Sequence, residues 1–396
     1  MNSNEQLTLM GRRRFLHLLG AGVGTLVVAG AGDLTWRAVD GGVFATGTGP
    51  AYAAWDQWRP LGRGAMGMVS AAVLAANAHN AQPWHFRVAT HRVDLFADTS
   101  RSLGMMDPLG REMHISLGCA LENLVLAAPA NGLKSTVSLL PDPADRTHIA
   151  RVDLVATQQP ASGLFAAIPN RHTNRGAYDT AQPVTQKQLD ALGGLIDVPG
   201  IELVWFTQAA DKRRFGDLTM RATEAIIADP QQSADDFAWY RTNWHEIQAK
   251  KDGITVDPSG KSLLIRDLAK VLPVSREQNN DGWLSGTHDT QIPTAAAFAA
   301  LVVRDPLDAI QRLGVGRIWQ RMNLSAAVNG LAMQPLCQVL ERIDREQCAA
   351  LAGDFSAAMA SMLPAGRHAM MTFRVGYPTS NALRSPRRPA KEVTLT

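Results

Sequence analysis

The sequence predicts an α+β fold, and three stretches carry that reading. Apolar alternation in Phe86-Arg87-Val88 and Val93-Asp94-Leu95, on either side of Thr90-His91-Arg92, marks a β-hairpin. Asp107-Pro108 opens a helical pattern through Ile115, Gly118, Leu121, Asn123, Leu124, Val125 and Ala128, with Asp at the N-cap, Pro in the first turn and Asn131-Gly132 as the stop. The continuous apolar run Ala295–Val303 predicts a buried strand, and Asp305-Pro306 starts a long helical stretch through Gly314, Gln320, Gly330, Leu331 and Gln338.

At 396 residues the chain exceeds what one hydrophobic core ordinarily serves. The net charge of +3 is too small to point to nucleic acid, and the positive excess sits at the two ends, Arg12–Arg14 and Arg384–Lys391. Cys119, Cys337 and Cys348 form no CxxC pair. They read as buried small apolar residues in helices, with no disulfide framework and no metal site. His245-Glu246 has no second histidine four residues on, which removes the zinc-protease motif. Gly20-Ala21-Gly22-Val23-Gly24 has no strand before it and is no dinucleotide fingerprint.

Residues 1–53 are expected to be a leader or anchor. Arg12-Arg13-Arg14-Phe15-Leu16 followed by a Gly/Ala/Val/Leu run to about Gly32 resembles a twin-arginine signal, and Ala51-Tyr52-Ala53 fits a small-x-small cleavage site. That resemblance implies the twin-arginine translocase as a partner, a folded and cofactor-loaded passenger, and a final place in the periplasm or on the outer face of the cytoplasmic membrane.

In chain order, Tyr52–Arg63, with Trp55 and Trp58, suits a strap across a surface, and Met66–Ala76 reads as a helix of small residues. The polar loop Asn77-Ala78-His79-Asn80-Ala81-Gln82-Pro83-Trp84 precedes the hairpin. Strands are expected at Thr136–Leu140, Ile149–Val155 and Ile201–Phe206. Arg171-His172-Thr173-Asn174-Arg175 comes shortly before Thr185-Gln186-Lys187-Gln188, a capping box. Helices are expected over Asp211–Ala228 and Ser233–Ile247, the second carrying Trp239, Tyr240 and Trp244. Lys250–Gln291 reads as a loop-rich lid, His368–Val375 as a strand, and Ser385-Pro386-Arg387-Arg388-Pro389 as a basic tail.

Asn80-Ala81-Gln82-Pro83-Trp84 and Leu117-Gly118-Cys119-Ala120-Leu121-Glu122-Asn123-Leu124, ending in Ala127-Ala128, resemble the N-x-Q-P-W loop and the G-x-A-x-x-N-L-x-L-A-A helix of the nitroreductase superfamily. His79-Asn80 with Asp107-Pro108-Leu109-Gly110-Arg111-Glu112 is closer to its mycobacterial Acg-type branch. The Gly316, Gln320, Leu324, Ala327, Gly330-Leu331 series resembles a second family helix. The resemblance implies an internally duplicated pseudo-dimer of the nitroreductase-like fold, with antiparallel-type sheets flanked by helices. Its halves would span 54–165 and 166–396. The first half has the N-x-Q-P-W loop, the second has the R-x-T-x-R segment and the tail, so one FMN per chain is expected at their junction.

Carried over to this chain, Arg171, Thr173 and Arg175, with Arg384, Ser385 and Arg387, should hold the phosphate, since guanidinium groups and a hydroxyl suit a dianion. Asn77, Ala78, His79 and Asn80 should reach the ribityl chain and the isoalloxazine edge. No catalytic acid, base or nucleophile and no metal are implied. The expected activity is FMN-dependent oxidation of NAD(P)H, with a quinone or redox protein as an alternative electron partner outside the cytoplasm. The rival expectation is an FMN-sequestering protein with little NAD(P)H turnover.

Overall fold

A computed structural model describes residues 31–58 and 64–395; the Arg12–Arg14 leader lies outside the described residues. The folded part starts upstream of the expected boundary at residue 53. Ala31–Asp40 is a helix, and Ala51 and Tyr52 are buried in the core, with the Ala51 carbonyl accepting from the Arg387 N–H at 2.7 Å.

Two sheets organise the chain. The first contains β1 (Trp84–Ala89), β2 (Arg92–Ala97), β3 (Leu133–Leu139), β4 (His148–Ala156) and, last in the chain, β9 (Thr394–Leu395), in the order β3-β4-β2-β1-β9. The second contains β5 (Glu202–Phe206), β6 (Ala297–Val303), β7 (Ala332–Pro335) and β8 (His368–Gly376), in the order β5-β6-β8-β7. Taken from its β7 end, the second sheet repeats β3-β4-β2-β1 strand for strand, and every one of these pairings is antiparallel. The repetition extends to irregularities. The register shifts between Leu95 and Phe96 where β2 meets β4, and between Leu301 and Val302 where β6 meets β8. In each half a long helix links the second strand to the third: Arg111–Ala127 in the first, Ala309–Val328 in the second. Thus the α+β expectation holds, and the halves share one topology.

These two helices pack against each other through Gly118 and Gly316. A Cβ on Gly118 would overlap the Leu313 carbonyl oxygen and come within 3.0 Å of the Gly316 Cα; one on Gly316 would overlap the Ile115 carbonyl oxygen. Beside this contact Gln320 donates to the Asn123 Oδ1 at 2.8 Å, both side chains fully buried. A salt bridge across the same interface joins Arg317 to Glu122 at 2.7 Å, and Arg111 pairs at 2.8 Å with Asp344 of the Gln338–Ala349 helix. One continuous apolar core draws on both sheets.

The halves differ in one connection. The β1–β2 turn is Thr90-His91, whereas residues 207–296 stand between β5 and β6 and contain five α-helices. Here the sequence expectations need correction. The helix expected over Ser233–Ile247 is two, Pro230–Phe237 and Trp244–Lys250, because the chain turns out to pair Tyr240 with Ile254. The expected loop-rich lid holds helices Leu263–Val271 and Arg276–Gly286, the latter opened by a Ser275/Gln278 capping box. The helical pattern toward Gln338 is interrupted by strand β7. The Asp107 helix starts later, at Arg111, yet Asp107 still caps it by accepting the Glu112 and Met113 N–H groups at 3.0 and 2.9 Å. Cys348 is exposed rather than buried, and all three thiols are free.

Gly316→Ala places a methyl where backbone from the other half already lies. It should lower stability by about 1–3 kcal/mol or more, measurable as an earlier thermal or urea midpoint.

Candidate functional site

The polar loop after the Ala65–Ala72 helix has an unusual backbone. His79, Asn80 and Gln82 have φ of 48°, 54° and 53°, three left-handed non-glycine residues within four positions. Each such residue costs on the order of 1 kcal/mol unless its surroundings impose it. The surroundings do. Asn77 accepts the Gln82 N–H at 2.8 Å, and the Ser116 hydroxyl accepts the Ala78 N–H at 3.0 Å. The Ala76 N–H, at the entry of the loop, donates to Gln320 of the inter-half helix at 3.1 Å.

From the other side, the inserted segment and the C-terminal tail grip the loop. Asn80 donates to the carbonyls of Gly253 at 3.1 Å and Pro386 at 2.9 Å, and its Oδ1 accepts from Arg387. Gln82 donates to the Lys251 carbonyl and accepts from the Arg388 N–H, both at 2.8 Å. The tail then runs on into β9, parallel to β1 with Thr394 opposite Phe86. His79 Nε2 lies 2.8 Å from Asp236 Oδ1 in a buried pair.

Arg171 and Arg387 form the electrostatic centre. Their side chains are buried, at 2% and 4% exposure, and among the described residues neither has a carboxylate partner. Arg171 donates to the Leu74 carbonyl at 3.2 Å, leaving Nε and Nη1 buried and without a partner. Arg387 donates to the Ala75 carbonyl at 3.3 Å and to Pro386 and Asn80, leaving Nε without one. Burial pushes the Arg171 guanidinium down to about 10. Burial and then the charge of Arg171 depress Arg387 well below its ordinary value. His172, driven down to about 3 by burial and by Arg171, Arg387 and Arg384, is a neutral imidazole 4.7 Å from the Trp55 ring. Trp55 also faces the Arg387 guanidinium at 5.1 Å.

The other expected residues divide. Arg175 is turned toward the opposite end, where its charge opposes that of His79; burial lowers its own pKa, partly offset by Tyr240 and Tyr178. Thr173 is half-buried on the same segment. Arg384 is at the rim, ion-paired with Asp56 at 2.7 Å, and Ser385 contributes its carbonyl, which accepts the Trp55 Nε1–H at 2.8 Å. So Asn77, Ala78, His79, Asn80, Arg171 and Arg387 meet around one place, while Arg384 does not bond there. Asp236, Gly253, Lys251 and His172 complete it. His172 lay within the recognised segment, but nothing in the sequence pattern marks the other three.

No family model matches the chain. The Mycobacterium tuberculosis protein named "Putative NAD(P)H nitroreductase Rv3131" is 27% identical over 332 residues, 83% of this chain and 89% of that protein. "Putative NAD(P)H nitroreductase acg" of the same organism is 36% identical over 85 residues, 22% of this chain and 26% of that protein. This chain is similar to named nitroreductases along most of its length. A crystal structure of the FMN-dependent nitroreductase NfnB from Mycobacterium smegmatis with NADPH aligns at TM-score 0.34 and 18% identity, over 58% of this chain and 96% of that one.

His79 supplies a pH signature. Burial opposes its protonation, but the hydrogen bond and charge of Asp236, with the charge of Glu112, outweigh burial and Arg175 and raise its pKa above 6.5. A raised histidine stabilises the fold fully below its unfolded pKa and loses that contribution as pH climbs through the folded one. The stability gap between the native chain and His79→Gln should therefore be largest below about pH 6.5, on the order of 1.5–3 kcal/mol, and shrink toward alkaline pH in urea titrations.

Proposed function

We propose that this chain is an FMN-dependent oxidoreductase of the nitroreductase superfamily, a fused pseudo-dimer with one flavin at the junction of its halves. The observation that carries the proposal is the pair of buried guanidinium groups, Arg171 and Arg387, whose three unpartnered N–H-bearing nitrogens have no carboxylate to answer them. A phosphate dianion fits that donor set in charge and in hydrogen-bonding capacity. The repeated topology supports the fused-dimer part, and the relatives' names support the class of activity.

In this reading Arg171, from the second half, and Arg387, from the tail, bind the phosphate. Neutral His172 and Trp55 wall the same end without adding a negative charge. Thr173 and Arg175 line the segment between the phosphate and His79. Asn77 and Ala78 present the loop toward the ribityl side. Asn80, whose side-chain donors and acceptor are all taken by protein groups, holds Arg387 and the tail in place. FMN supplies hydride and electron transfer when bound. The chain's part is to orient it, to neutralise its phosphate and to keep water from its surroundings.

The leader supports export through the twin-arginine translocase to the periplasm or the outer face of the cytoplasmic membrane. Reduced nicotinamides are scarce there, which favours a quinone or redox protein over NAD(P)H as electron partner.

A second reading has an observation of its own. The inserted segment covers the loop and is bonded to it at Asp236, Lys251 and Gly253. A site so closed suits a protein that sequesters FMN with little turnover. Steady-state NADPH oxidation with a nitroaromatic or a quinone separates the two: rapid turnover removes sequestration, and bound flavin unchanged by NADPH removes the ordinary reductase.

Purified protein should show flavin absorbance and release about one FMN per chain on heating. Arg171→Ala and Arg387→Ala should each weaken retention roughly ten- to a hundredfold, the equivalent of a charged hydrogen bond. A colourless protein that takes up no added FMN overturns both readings.

A further inference from the structure

We propose that the face formed by the Ala31–Asp40 helix, the Val43–Ala45 turn and the Leu263–Val271 helix rests on a lipid bilayer. The Leu263–Val271 helix is amphipathic but packed inside out. Lys270 and Arg266 point inward to the buried Asp257, at 2.8 and 3.5 Å, and the Lys270 side chain is only 6% exposed. Leu263, Leu264 and Ile265 point outward, 64%, 54% and 44% exposed. A helix that hides its cations and presents its leucines is arranged for an apolar neighbour.

The adjoining elements present the same chemistry. Trp36, Val39 and Phe44 are 64%, 63% and 78% exposed. They belong to one surface with the inverted helix: a Cβ on Gly41 would be 2.5 Å from the Lys270 carbonyl oxygen, and Lys270 Nζ reaches Thr46 Oγ1 at 2.6 Å. Aromatic and aliphatic side chains gathered on a charged protein surface match the interfacial zone of a bilayer, where an aromatic ring sits at headgroup level and aliphatic groups reach the acyl boundary.

The chain's own order selects lipid as the occupant. The apolar run from Leu16 to Gly32 leads without a spacer into the Ala31–Asp40 helix. A bilayer that takes up this run brings Trp36, Val39 and Phe44 to its surface. No helix of the described residues is long and apolar enough to cross a membrane, so this face lies on the bilayer and does not penetrate it.

The test is amide hydrogen exchange of the full-length protein with and without phosphatidylethanolamine/phosphatidylglycerol vesicles. Exchange in peptides spanning residues 36–45 and 263–271 should slow about tenfold on vesicles, while the Ala309–Val328 helix stays unchanged. The combined substitution Leu263→Ser, Leu264→Ser and Ile265→Ser, all at exposed positions, should abolish the slowing in 263–271 and leave the fold intact. Vesicle-bound protein with unchanged exchange on this face overturns the proposal, because the leader alone would then hold it. So does a failure to bind vesicles. Slowing that appears without lipid and grows with protein concentration assigns the face to a second copy of the chain instead. None of these outcomes depends on whether flavin is bound.

Discussion

The approach of two helices at Gly118 and Gly316 is the contact to which the rest of this molecule is referred. With no side chain on either residue, backbone meets backbone, and the spacing of the two sheets follows from it. The same interface carries the buried Asn123–Gln320 pair, and Gln320 also accepts the Ala76 N–H at the mouth of the polar loop. The loop's starting point in the first half is therefore set by a helix of the second. Arg171 is fixed in the same way, bonding across the junction to the Leu74 carbonyl.

The electrostatics at that junction differ from those elsewhere in the protein. Three other buried arginines are answered by carboxylates, Arg111 by Asp344, Arg241 by Asp252 and Arg342 by Asp229, and Arg312 donates to the carbonyls of Pro306 and Leu109. Arg374 has no carboxylate, but it is surrounded by neutral acceptors, the side chains of Gln334 and Thr294 and the carbonyls of Gln291 and Gly176. Arg171 has one carbonyl. Removing a guanidinium from water with so little return costs several kcal/mol, and the two groups also repel each other. An anion with several oxygens reverses both terms at once.

Much of this was legible in the sequence, for reasons that differ by region. Hairpin β1–β2, strand β6 and the Gln186–Gly193 helix with its Thr185 capping box follow from alternation, apolar continuity and local capping, all short-range signals. Arg171 and Arg387 were legible as a charge pattern within a family resemblance, and in the structure they lie near enough for the charge of Arg171 to depress Arg387. Arg384 looked equivalent to Arg387, but Asp56 holds it at the rim, a contact between distant residues that no local pattern reveals. The strand β9 is two residues long and exists only because β1 offers it an edge. The break at Tyr240 and the role of Asp236 likewise depend on partners far along the chain. Small residues serve equally well for signal cleavage and for close packing, and at the expected boundary near residue 53 Ala51 is packed in the core.

The asymmetry of the two halves explains why this place is covered. Where the first half turns through Thr90-His91, the second inserts residues 207–296, and this insertion carries Asp236, Lys251 and Gly253 to the loop. Its bonds fall on His79, Gln82 and Asn80, the residues in left-handed conformation. Strain and closure are thus located on the same three residues. Detaching the insertion would remove the restraints that hold those residues in a costly conformation, so the loop gains by relaxing whenever the cover leaves. The tail resists that relaxation, since Arg387 and Arg388 grip the same loop from the opposite side and are anchored in turn by β9. Cover, loop and tail consequently form one mechanical unit, in which the loop is the element both others must displace for the site to open.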